Sequence, residues 1–330
     1  MNYKMMGRLI AQILLAEAAF MVPALIISLV GQDSQAMLGF ALSILVILAV
    51  AGMLMFFARK AKKGFYAREG MVCVGLAWIV MSLLGCLPFW ISREIPSYLD
   101  GLFEIVSGFT TTGASILSNV EGLSKGMLYW RSFSHWVGGM GVLVFLLAVV
   151  PVSGRNDGFT MHLLRAESPG PNVAKLVPRI RSTAGILYIL YIVLTVVDLL
   201  LLLAGKMPVL EAVCTAFGTA GTGGFGVKND SMASYSPYIQ NVCTVFMLLF
   251  GVNFSCYYLL IMKQVKSVYE DEELRLYVGM VLGSVLLIVI NLRGFYGTLG
   301  ETVRLVFCQV ASIVNTTCFA PTDCGHWPGF

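Results

Sequence analysis

Ser107–Ser115 reads SGFTTTGAS, and the pattern returns twice, as GTAGTGGFG at Gly218–Gly226 and SIVNTTCFA at Ser312–Ala320. The three segments align without gaps on Gly113, Gly224 and Cys318. Two positions before each anchor stands a threonine: Thr111, Thr222 and Thr316. Six positions before it stands a small residue: Ser107, Gly218 and Ser312. One position after it, two of the three have phenylalanine, Phe225 and Phe319. Each segment follows a stretch able to form a half-helix, near 98–109, 209–219 and 301–314. The anchors lie 111 and 94 residues apart, so a unit recurs along the chain.

The surroundings are those of a membrane protein. Hydrophobic residues make up 58% and charged residues only 12% of the 330, where a soluble domain carries about 25% charge. The apolar residues fall into runs of about 20, the length that crosses ~30 Å of hydrocarbon as a helix. Spanning helices are predicted near 8–30, 36–58, 70–91, 126–150, 182–205, 236–262 and 275–293. The first is too long for a secretory signal and lacks a small-residue cleavage site.

Loop charge sets the orientation. Arg59, Lys60, Lys62, Lys63 and Arg68 fill one loop; Arg155, Arg165, Lys175, Arg179 and Arg181 fill a second. A third holds Lys263, Lys266 and Arg275, diluted by Glu270–Glu273. The positive-inside rule puts all three loops in the cytoplasm, with Lys4, Arg8 and the N-terminus. The crossings then balance only if the three Gly/Thr-rich segments dip into the membrane from outside and return. The repeat unit is therefore helix–pore loop–helix.

Non-helical backbone is tolerated at membrane depth only where protein buries it or it lines a watery path. A Thr/Gly-rich strand can turn successive carbonyls toward such a path and replace the hydration shell of a cation. Glycine serves because such a run of carbonyls needs backbone angles that a Cβ resists. A half-helix before each strand brings its negative end to the path. The hydroxyls of Thr111, Thr222 and Thr316 are candidate further ligands. Hard oxygen ligands without clustered carboxylates suit a monovalent ion better than calcium.

With these motifs in view, the chain resembles the TrkH/KtrB family of bacterial potassium transporters, the TrkH branch most closely. SGFTTTGAS at 107–115, WRSFSHWVGGMGV at 130–142, TGGF at 222–225, LFGVNFSCYY at 249–258 and SIVNTTCFAPTD at 312–323 carry the resemblance, which runs along essentially the whole chain. It implies an all-α membrane protein with four helix–pore loop–helix units around a pseudo-fourfold cation pore, incomplete here, plus two extra N-terminal transmembrane helices. The division expected is 1–69 for the two extra helices, 70–150 for the first pore repeat and 151–181 for a cytoplasmic loop. Then follow 182–262 for the second repeat, 263–274 for another cytoplasmic loop and 275–330 for part of a third repeat.

The resemblance also places a potassium filter on Thr111, Thr112 and Gly113, on Thr222, Gly223 and Gly224, and on Thr316, Thr317 and Cys318. Potassium would sit at Thr111, Thr112, Thr222, Gly223, Thr316 and Thr317. It implies a homodimer in the inner membrane and a cytosolic nucleotide-binding regulatory subunit of the TrkA type. Potassium is the transported ion; no organic cofactor and no nucleic-acid partner are expected. Coupling to protons or sodium is left open.

Two departures bear on function. The family pattern has glycine where Cys318 stands. If that position takes a positive φ, a non-glycine residue costs about 1–2 kcal/mol and crowds one wall of the filter. Relaxed discrimination between potassium and sodium is the alternative function this suggests. The chain also stops 12 residues after Cys318, before the second helix of the third repeat and the whole fourth repeat. The expectation is a fragment of a longer protein, with a non-conducting membrane subunit as the alternative.

Other polar residues carry lesser expectations. Glu17 and Asp198 lie inside apolar runs, where an ionised group costs about 2.5–3.5 kcal/mol. Each is a functional candidate, or else pairs with a polar neighbour or is protonated. Arg131 is expected to brace the first pore loop, against Glu104, rather than touch the ion. Gly138, Gly139, Gly141 and Gly251 suit close helix packing near the pore. Asn253 is expected to hydrogen-bond across helices and His135 to pack at the interface. The basic stretch 151–181 serves as a positive-inside loop, with anionic lipid or a cytosolic partner as alternatives. The eight cysteines read as buried free thiols, and Cys318, Cys324 and His326 fit no standard zinc spacing. An enzyme is not expected: HExxH, GxSxG and paired carboxylates are absent and the three histidines are scattered.

Overall fold

The computed structural model describes residues 2–59, 67–139, 141, 180–322, 325 and 327. Most of the basic loop at 59–69, positions 151–179 of the predicted 151–181 loop, the end of the predicted 126–150 helix, and Cys324 and His326 lie outside them. Every regular element among the described residues is a helix. Among the described residues, five helices are long and apolar enough to cross a membrane: Tyr3–Val30, Ser34–Phe57, Glu69–Ile91, Gly185–Ala204 and Glu272–Asn291.

Local chemistry sets where these helices start. Asn2 and Asp33 accept from Met5 N and Ala36 N, at 3.2 Å each, satisfying donors that a helix N-terminus leaves free. The three half-helices are Tyr98–Phe109, Val209–Ala220 and Leu299–Val314. Each carries an acid in its first turn, Asp100, Glu211 and Glu301, where the positive end of the helix dipole favours it.

One predicted span differs. The stretch 236–262 is not a continuous helix but two, Pro237–Gly251 and Phe254–Ile261, bent by 85°. Val252 is extended, with ψ 138°, and Asn253 caps the second piece by accepting from Ser255 N at 2.9 Å. Gly251 leaves no side chain where Asn315 Oδ1 and the Tyr277 hydroxyl press in. Asn253 Nδ2 donates to Glu273 Oε2 at 3.0 Å, the inter-helix bond expected of it.

The helices bury two main cores. One joins the two N-terminal helices to the first repeat through Leu14, Phe40, Met81, Phe109 and Trp130. The other packs the second repeat against the third half-helix through Tyr191, Phe250, Cys308, Ala311 and Phe319. The loops beyond the half-helices are tied together. Val120 N donates to Asn229 Oδ1 at 2.8 Å, Asn229 N to Glu121 Oε1 at 3.0 Å and Asn229 Nδ2 to Asn119 Oδ1 at 2.9 Å. Met232 N donates to Ala320 O and Ala320 N to Ser231 Oγ, both at 3.1 Å.

Candidate functional site

Each half-helix ends in the same turn. Thr112 N donates to Ser107 O and Thr111 N to Gly108 O. Gly223 N donates to Gly218 O and Thr222 N to Thr219 O; Thr317 N donates to Ser312 O and Thr316 N to Ile313 O. This pair of bonds is the Schellman motif, which normally places glycine at the left-handed position. Here threonine occupies it three times, with φ of 55° at Thr111, 52° at Thr222 and 57° at Thr316. The small residues six places before the anchors are the carbonyl acceptors of these turns.

Two residues on, the anchors are left-handed again: φ is 76° at Gly113, 72° at Gly224 and 59° at Cys318. The intervening Thr112, Gly223 and Thr317 are not. Cys318 thus takes the positive φ that makes a non-glycine residue costly. Its side chain is exposed, with Sγ 3.6 Å from Thr316 O, whereas the other six described cysteines are buried.

The segments lie side by side in chain order. A Cβ on Gly113 would overlap the carbonyl oxygen of Gly223, and one on Gly224 would overlap that of Thr317. Glycines behind them admit equally close contacts. Gly138 abuts Phe109 O and the Thr111 methyl, Gly139 abuts Gly221 and the Tyr191 hydroxyl, and Gly223 abuts the His135 ring. Gly141 is itself left-handed, with φ 65°, and donates to Gly138 O at 3.0 Å. His135 is wholly buried, not interfacial, and its ring centroid lies 4.0 Å from that of Phe225.

Arg131 meets Glu104 as expected: Nε lies 2.5 Å from Oε1, with the two side chains 3% and 0% exposed. Glu104 also accepts from Ser115 Oγ at 2.9 Å and Ile116 N at 3.1 Å, at the end of the first segment and just past it. The rest of the Arg131 contacts were not foreseen. Its Nη1 donates to Gly226 O at 3.0 Å, and its guanidinium carbon lies 3.6 Å from the Phe225 ring centre.

A second bracing network was also missed, its residues being scattered through unrelated motifs. Arg304 Nη1 donates to Gln240 Oε1 at 3.1 Å, and Gln240 Nε2 donates to Met232 O at 3.0 Å. The Tyr235 hydroxyl donates to Glu211 Oε2 at 2.7 Å. Burial, and then that bond, push the Tyr235 hydroxyl well above the usual tyrosine range.

Glu17 and Asp198 are buried, and no carboxylate oxygen of either has a hydrogen-bond partner among the described residues. Of the alternatives, pairing with a polar neighbour is thus not seen among the described residues. Glu17 sits instead against Gly85, close to Ile105 and Phe109 of the first half-helix. No group of three or more His, Cys, Asp or Glu able to hold a metal ion occurs among the described residues.

Apolar spans and triplicated half-helix turns define a multi-pass, all-α membrane protein of repeated helix–pore–helix units. Comparison with known proteins gives the particular family. Residues 37–294 match the TrkH family, described as cation transport protein. The Trk system potassium uptake proteins TrkH of Salmonella typhimurium and Escherichia coli K12 are each 32% identical over 337 residues. Each match covers all of this chain and 69% of the relative. The crystal structure of the potassium transporter TrkH from Vibrio parahaemolyticus superposes with a TM-score of 0.85 at 26% identity, covering 99% of this chain and 68% of that one. The chain belongs to the TrkH family of cation transport proteins, so its role is transport and not catalysis.

Proposed function

We propose that this chain takes potassium up across the bacterial cytoplasmic membrane through a filter built by its three loop segments. The observation that carries the reading is the triplicated backbone: left-handed, not left-handed, left-handed, at Thr111–Gly113, Thr222–Gly224 and Thr316–Cys318. Alternation of that kind turns successive carbonyls to one side, where they replace the water around a monovalent cation. The carbonyls and hydroxyls of Thr111, Thr112, Thr222, Gly223, Thr316 and Thr317 are the proposed potassium ligands. The negative ends of the three half-helices support cation binding at the same place. Relatives named as potassium uptake proteins favour potassium as the ion.

In the same reading the N-terminus and the basic loops face the cytoplasm. The protein works as a dimer with a cytosolic nucleotide-binding subunit of the TrkA type, and no organic cofactor binds this chain. Rubidium uptake into potassium-starved cells that lack their own uptake systems tests the reading. Uptake blocked by potassium supports it; verified membrane insertion with no uptake argues for a non-conducting subunit.

A second reading rests on Cys318. A side chain at a left-handed, exposed position alters one wall only, and a filter uneven in this way passes sodium as well. Competition of sodium against rubidium separates the two.

A further inference from the structure

One side chain touches the supports of two of the three loop segments. Arg131 lies on the helix after the first segment, and its neighbours come from three stretches of chain. Through Glu104 it reaches Ser115 and Ile116, where the chain leaves the first segment. Through Nη1 it holds the carbonyl of Gly226, two residues past the second anchor. The face of its guanidinium covers Phe225, the residue directly after that anchor.

Phe225 is itself a wedge. A Cβ on Gly108 would touch its ring, so the ring stands against the first half-helix. His135 packs on the same ring, and the His135 imidazole backs Gly223. The arginine, the phenylalanine and the histidine therefore fill the seam between the first and second segments. The second-to-third seam is closed differently, by the backbone bonds of Met232 and Ala320, with Phe319 against Gly218 in the place of Phe225.

We infer that Arg131 is a positioning residue that sets the spacing of the first and second filter strands, and so the discrimination between potassium and sodium; this rests on the filter reading above. A guanidinium suits the task because its planar fork serves a carboxylate and a carbonyl together while its face stacks on a ring. Glu104 balances its charge, so Arg131 holds geometry without adding a net repulsive charge to the cation path. Lysine keeps the charge and lacks the fork, so Arg131→Lys isolates the geometric role.

The test is thermal unfolding of the purified full chain in detergent, titrated with potassium chloride or sodium chloride. An ion at concentration c that binds only the folded state stabilises it by RT ln(1 + c/Kd), so a tighter ion raises the midpoint at lower concentration. In the wild type, potassium raises it at lower concentration than sodium. In Arg131→Lys and in Phe225→Leu the ratio of the two affinities falls by about tenfold, and the double variant falls no further than the worse single one. An unchanged ratio in both variants, with midpoints lowered equally in both salts, makes Arg131 a structural brace only and overturns the inference. A wild type that does not prefer potassium overturns the inference, since there is then no discrimination for Arg131 to set, and favours the relaxed filter at Cys318; a wild type stabilised by neither ion overturns the filter reading instead. Should Arg131→Lys fail to fold, Phe225→Leu leaves the ion pair in place and decides the matter alone.

Discussion

The α-carbon of Gly224 faces the carbonyl oxygen of Thr317 so closely that no side chain fits between them. Gly113 stands in the same relation to Gly223, one segment earlier. Each anchor glycine is therefore needed twice, for its positive φ and for the neighbour it admits.

Replacing either glycine tests both needs. Gly113→Ala and Gly224→Ala each carry a left-handed penalty of about 1–2 kcal/mol before any clash is counted. The overlap with Gly223 O or Thr317 O then forces the strands apart. Rubidium uptake should fall to background in both variants while membrane insertion persists. Uptake at wild-type levels would show that these contacts do not shape the pathway.

Cys318 predicts the opposite sign. Cys318→Gly removes strain at φ 59°, so stability should rise by about 1 kcal/mol. Discrimination of potassium over sodium should sharpen in the same variant. Unchanged selectivity, measured by sodium competition against rubidium, would sink the idea that the cysteine relaxes the filter.

Glu104 and Arg131 are buried together, and losing one partner leaves the other charge uncompensated. Glu104→Ala should cost about 3–5 kcal/mol, read as a lower thermal midpoint. The paired change Glu104→Leu with Arg131→Met should recover much of that loss, since apolar replacement of a whole buried pair is often neutral. Equal losses in the two variants would contradict this account.

Glu94 gives a pH prediction. It accepts from Ser124 N at 2.8 Å and Ser124 Oγ at 2.7 Å, yet burial outweighs these bonds and raises its pKa above the ordinary 4.5. A carboxyl held above its unfolded value contributes stability that is full below the unfolded pKa and is lost as pH rises through the folded one. Wild-type stability should therefore decline as pH is raised from 4.5, and Glu94→Gln should flatten the decline. Parallel profiles for the two proteins would rule Glu94 out as the cause.

The sequence showed the three segments because each is a short contiguous pattern, and it located the half-helices to within two residues. The break in 236–262 was hidden, since that run is apolar enough overall to read as one span and Val252 gives no sign of its extended backbone. Half of the Arg131 environment was legible: Glu104 was foreseen as a nearby opposite charge. The other half was not, because a backbone carbonyl 95 residues away has no side-chain signature. Phe225 and Phe319 were visible as a repeated letter. Their work as wedges was not, because each acts on the preceding unit rather than its own.

The Schellman turns have a consequence for how such a protein changes over time. Main-chain bonds make the turn, so TTG, TGG and TTC share one backbone with different chemistry on it. Each wall can then be rewritten separately, letter by letter, while the scaffold that presents it stays the same. A ring of unequal walls is in this sense no harder to evolve than a symmetric one, and lopsidedness becomes a means of adjustment rather than a defect.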